Sequence, residues 1–95
     1  MGIINVDDMY FEMENTMKNS WKKTVDNSRE IVYINRTGHH VVHVIIRKIK
    51  SMIWSLKVTE KIQGVPLHQI TSGLYRMKEK AIDDANDYMR SNPNG

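Results

Sequence analysis

Apolar side chains recur at helical spacing through the middle of the chain. Five of them follow one another at intervals of three, four, three and four residues: Val42, Ile45, Ile49, Met52 and Leu56. These intervals place side chains on one side of an α-helix, and Ile46 and Ile53 widen the same stripe. The pattern therefore predicts a long helix from about His39 to Gln63.

Similar stripes flank this central segment. Before it, intervals of three and four predict a helix of about twenty residues that ends at Asn27-Ser28, with these apolar positions: Tyr10, Met13, Met17, Trp21 and Val25. After it, a third helix is predicted to run to about Arg90 through these positions: Leu67, Ile70, Leu74, Met77, Ala81, Ala85 and Tyr88.

A turn is predicted between the second and third helices at residues 63–66, because Gly64 can end a helix and Pro66 suits the start of the next. A turn this short favours antiparallel packing of the two helices. The predicted fold is mainly α: a three-helix arrangement whose last two helices form a long antiparallel hairpin.

Residues 30–46 leave a second interpretation open. Ile31–Ile34 strongly prefer strand, and Asn35-Arg36-Thr37-Gly38 has the composition of a turn. Residues 30–35 can therefore pair with residues 39–46 as a small β-hairpin, which gives an α+β fold whose helix starts near Arg47. The unbroken three-four spacing from Val42 to Leu56 favours the long helix.

Length and composition predict one small domain of 95 residues, with residues 91–95 as a disordered tail. The chain has no Cys, which excludes disulfides and Cys-ligated metals and fits a cytoplasmic location. The first twenty residues do not resemble a secretory signal, and no apolar run is long enough to span a bilayer. We expect neither a cofactor nor a membrane partner.

Positive charge is concentrated in the middle of the chain, within a net charge of +3. Residues 1–20 carry four carboxylates against Lys18, whereas residues 21–60 carry eight Lys and Arg against three carboxylates. A basic segment of this kind favours an acidic partner, such as an acidic protein surface or nucleic-acid phosphates.

A second stripe on the predicted central helix supplies the candidate binding residues. They follow at intervals of four, three, four, three and four: His43, Arg47, Lys50, Trp54, Lys57 and Lys61. An indole exposed among cations can anchor a protein interface or stack on bases. The alternative for Trp54 is a core position against the first helix, with Lys stems lying over the ring.

Catalytic and metal-binding patterns are weak. His39 and His43 lie one helical turn apart, but His40 stands where a zinc protease has its glutamate, and no third ligand is evident. We therefore expect no metal and no enzyme. The sequence favours a non-enzymatic binding protein, a small regulator or inhibitor that presents the basic stripe to an acidic protein partner. Its amphipathic stripes also favour self-association as a homo-oligomer. The alternative is binding of nucleic acid or nucleotide phosphate by the same stripe.

Overall fold

The computed structural model describes residues 21–95, which form five strands followed by one helix. The strands are β1 (Trp21–Asp26), β2 (Glu30–Thr37), β3 (His40–Lys50), β4 (Ile53–Ile62) and β5 (His68–Tyr75), and the helix is α1 (Lys78–Ser91).

The strands form one antiparallel sheet in the order β1-β2-β3-β4-β5, so each strand pairs with its neighbours in sequence. Turns connect each strand to the next, an arrangement known as a β-meander. Asn27 accepts the backbone N–H groups of Arg29 and Glu30 with its side-chain oxygen at the first turn. Gly38 and Gly64 take positive φ angles of 61° and 80° at two later turns, a conformation that L side chains rarely adopt.

The helix α1 packs across one face of the sheet and completes the core. Ala81, Ala85 and Met89 recur every fourth residue, which places them on the same side of α1, and all three are fully buried. They meet every second residue of the central strands: Val42, Val44, Ile46, Trp54, Leu56 and Val58. We call this side of the sheet the covered face.

The C-terminal residues lie on the same side of the molecule. Trp21 donates its indole N–H to the carbonyl of Asn92 over 2.9 Å, and the buried Asn35 donates its amide to the carbonyl of Pro93 over 3.3 Å. These bonds tie residues 92 and 93 to β1 and β2. Both residues belong to the segment 91–95, for which the sequence predicts a disordered tail.

The mainly α prediction is wrong for the described residues, which contain neither a helical bundle nor a basic helix in the central segment. Residues 39–63 form β3, a turn and β4 instead of one helix. β3 is apolar on both sides, so its side chains do not alternate clearly between apolar and polar. Its β-branched residues favour a strand for steric reasons. The spacing of the apolar residues does not reveal this preference.

The remaining helix boundaries also change. The third helix is confined to residues 78–91, because residues 68–75 form β5. Residues 21–26 of the predicted first helix form β1, and the rest of that helix lies outside the described residues. The alternative pairs residues 30–35 with 39–46, and strands β2 and β3 do pair there, but its helix after Arg47 is wrong because β3 continues to Lys50.

Candidate functional site

The side of the sheet opposite α1 is the candidate site, and we call it the open face. No element within residues 21–95 packs over it. Directly paired residues of an antiparallel sheet point to the same side, so the strand register assigns each side chain to a face. One row across the open face contains Lys22, Ile34, His43, Thr59 and Gln69.

The register brings five of the six predicted binding residues onto the open face. His43 pairs with Thr59, Arg47 with Ser55, and Lys57 with Ile45. Lys50 and Lys61 occupy the same side, paired with Ile53 and Val41. These residues meet because β3 and β4 fold back on each other, and not because they line a helix.

Trp54 lies on the covered face, apart from the other five predicted residues. Its side chain is only 8% exposed, within the cluster that contains Leu56 and Ala85. The ammonium of Lys78 on α1 stands 5.2 Å from the centre of the indole ring. Trp54 therefore joins the helix to the sheet, and a partner cannot reach it on the open face.

An apolar strip lies on the part of the open face that β1, β2 and β3 form. It consists of half-buried side chains from the first three strands: Val25, Val32, Ile34, Val41 and Ile45. The solvent side of an antiparallel sheet is usually polar. An apolar strip on this side is a feature of binding surfaces, because burying it against a partner is favourable.

Cations surround the apolar strip. Six belong to the open face, by their pairing in the sheet: Lys22, Arg36, Arg47, Lys50, Lys57 and Lys61. The strands of this face supply one carboxylate, Glu30, which accepts a 2.6 Å hydrogen bond from Arg47. The face is therefore strongly positive.

Two of these lysines differ in their contacts. Lys61 donates from its ammonium to the backbone carbonyls of Ile62 and Val65 in the loop after β4. Lys57 lies between Ile45 and Ser72 near the middle of the face, and its ammonium makes no hydrogen bond or ion pair to another residue within 21–95. Lys57 is therefore open to an acidic group of a partner, as are Lys22, Arg36 and Lys50, whose side chains also make no such bond within residues 21–95.

Aromatic rings are concentrated on the other side of the molecule. Trp21, Tyr33, Trp54 and Tyr75 belong to the covered face, and Tyr88 is on α1. Within the part of the chain that the structure describes, the open face thus has cations, aliphatic groups and the imidazole of His43, but no Phe, Tyr or Trp ring. Such a surface suits an acidic and partly apolar protein better than single-stranded nucleic acid, which proteins commonly bind by stacking bases on rings.

The three clustered histidines do not converge. His40 points to the covered face and hydrogen-bonds Glu60 over 2.6 Å, whereas His43 lies on the open face and His39 is in the exposed turn before β3. Residues 21–95 contain no group of three or more His, Asp or Glu side chains that could hold a metal ion. No Ser or Thr hydroxyl in that range is hydrogen-bonded to a histidine ring.

Further apolar side chains are exposed at the two ends of the sheet. Met52 and Leu74, about 70% exposed each, border a shallow depression of about 380 Å³ together with Ile53, Tyr75 and Arg76. At the opposite end, the loop between β4 and β5 exposes Val65 and Leu67. These groups add to the apolar area that the described residues expose.

Sequence reasoning missed Lys22, Arg36 and the apolar strip, because their common side depends on the pairing of β1, β2 and β3.

Within the described residues, no helix is both long enough and apolar enough to cross a membrane. Comparison with family models, curated proteins and solved structures found no match to this chain.

Proposed function

We propose that this protein is a non-enzymatic binding protein, a small regulator or inhibitor that holds an acidic protein partner on the open face. One observation carries this proposal: six cations and a single carboxylate surround an apolar strip that no element of residues 21–95 covers. The cations attract and orient an acidic partner, and burial of the strip supplies affinity.

Chemistry and composition support this proposal. The open face has cations, hydroxyls and aliphatic groups, and His43 adds an imidazole.

We expect the protein to act in the cytoplasm, since a chain without Cys gains nothing from an oxidising compartment. Self-association through two open faces is disfavoured, because it places like charges against each other. Any homo-oligomer would use the apolar ends of the sheet.

A matched pair of charge reversals tests the proposal. Lys57→Glu changes the middle of the open face, whereas Lys48→Glu changes an exposed lysine of β3 that pairs with Trp54 and so points to the other side. Both variants change the net charge equally. We expect full-length wild-type protein and Lys48→Glu to capture the same acidic partner from a lysate of the host, and Lys57→Glu to lose it.

Equal capture by all three proteins would remove the open face from the proposed function. Nucleic-acid binding remains the alternative, because the same cations can neutralise phosphates. It predicts binding to DNA or RNA that weakens steeply with added salt. A gel-shift assay with the same three proteins distinguishes the two functions, since an acidic protein partner gives no shift of nucleic acid.

A further inference from the structure

We propose that residues 1–20 of the chain itself bind the open face and compete there with the acidic partner. This inference rests on the proposed function, because it concerns the same surface. It makes the N-terminal segment an intramolecular regulator, which occupies the binding site until a partner displaces it.

Charge complementarity is the first support. Residues 1–20 contain Asp7, Asp8, Glu12 and Glu14 against a single Lys18. The open face has the reverse imbalance, with six cations against Glu30. Opposite charges on one chain attract when they approach within the Debye length, about 10 Å at an ionic strength of 0.1 M.

Apolar complementarity is the second support. Tyr10, Met13 and Met17 are spaced by three and four residues, which places them on one side if the segment is helical. The apolar strip would receive that side. A sheet with apolar side chains on both faces is most stable between two layers, and α1 supplies only one of them.

The start of β1 gives the segment direct access to the open face. Trp21 is fixed by its indole bond to Asn92, and the next residue, Lys22, already belongs to the open face. Twenty residues as a helix extend about 30 Å at 1.5 Å per residue. That length is close to the span of the eleven-residue strand β3, about 36 Å at 3.3 Å per residue. Residues 1–20 are therefore long enough to reach across much of the open face from their attachment at Trp21.

A spin label in the full-length protein tests this docking. The chain has no Cys, so Asn15→Cys creates a single attachment site. We expect the label to broaden the methyl NMR signals of Val41 and Ile45 on the open face much more than those of Ala85 and Met89 under the covered face. Replacing the four acids together (Asp7→Asn, Asp8→Asn, Glu12→Gln and Glu14→Gln) should restore the open-face signals.

Two controls make the result specific. Asp83→Asn with Asp87→Asn removes acids from the exposed side of α1 and should leave the broadening unchanged. Mixing spin-labelled chains with isotope-labelled chains that lack the spin label reports contacts between copies, and we expect no broadening there. Uniform or absent broadening, persistence after neutralisation of the four acids, or broadening in the mixed sample would each overturn the inference.

Partner capture keeps the two proposals separable. If the segment leaves the open face free in about a tenth of the molecules, neutralising its acids should raise the apparent affinity for the partner about tenfold. Loss of capture in Lys57→Glu without any spin-label effect would retain the proposed function and refute docking. A spin-label effect with capture that is indifferent to Lys57→Glu would retain docking and refute the proposed function.

Discussion

Two faces of one sheet have different compositions, and β3 shows the difference between consecutive residues. Val42, Val44 and Ile46 point to the covered face and are at most 1% exposed, packed in the core that α1 completes. Val41, His43 and Ile45 point to the open face and are only half-buried. The covered face thus accounts for the fold, whereas the open face is apolar and basic without an evident role in packing residues 21–95.

This contrast separates stability from binding. A side chain of the covered face loses packing contacts and leaves a cavity when it is truncated. A side chain of the open face has fewer contacts to lose, so its replacement should change partner binding more than folding. Variants on the two faces should therefore separate the two properties.

The largest effect is expected at Trp54. Trp54→Ala should lower the free energy of unfolding by about 3–5 kcal/mol, because it removes a large buried ring beneath α1. Urea denaturation measures this loss. Trp54→Phe keeps most of the packing and should capture the partner as well as wild type does. Loss of capture by a folded Trp54→Phe protein would show that the partner contacts the indole.

Adjacent isoleucines of β3 give the closest comparison between the faces. Ile46→Ala should cost about 2–5 kcal/mol, because Ile46 is fully buried against α1. Ile45→Ala removes the same atoms from the open face and should cost less than half as much. The two variants can be compared by urea denaturation in one buffer. Equal costs would mean that both faces are packed equally well.

The hydrogen bonds to the C-terminal residues should contribute less to the free energy of unfolding than Trp54 and Ile46 do. Asn35→Ala removes the amide that binds the carbonyl of Pro93 and should cost about 1–3 kcal/mol, because it disrupts a buried polar contact. Arg36→Ala, at the next residue on the open face, should change stability by no more than about 0.5 kcal/mol. Thermal unfolding followed by circular dichroism would rank the pair.

Tyr75 should give the smallest effect, visible only at high pH. Its hydroxyl donates a 2.6 Å hydrogen bond to Asp84 on α1, and this bond raises the pKa of Tyr75 from 10.0 to about 12. A raised pKa stabilises the folded state below pH 10, and this contribution is lost as the pH rises to about 12. Asp84→Asn should return the titration of Tyr75 toward its ordinary range, measured by tyrosinate absorbance. An unchanged titration would contradict the bond.

The sequence identified the C-terminal helix and most of the cations of the open face, but for different reasons. Ala81 and Ala85 keep helical spacing in the structure, because α1 is amphipathic and lies on a single surface. The helix predicted from the central apolar stripe was wrong, because Val42 and Ile46 face α1 whereas Ile45 lies on the opposite side of the sheet. Intervals of three and four mix the two sides of a strand.

The side of each cation depends on register, which pairs residues distant in sequence. Lys57 and Ile45 are neighbours because β3 and β4 fold back at residues 51 and 52. A one-residue slip would have moved Lys57 to the covered face. Better signals for the strands were present in the β-branched content of β3 and in the glycine turns at Gly38 and Gly64.

Contacts between α1 and consecutive residues of β3 test the two-faced sheet most directly. In an isotope-edited NOE spectrum of the full-length protein, methyl groups of Ala85 and Met89 should show NOEs to the side chains of Val42, Val44 and Ile46. They should show none to Val41, His43 or Ile45. NOEs from α1 that recur at intervals of three and four, to Val42, Ile45 and Ile49, would contradict the strand and with it the open face.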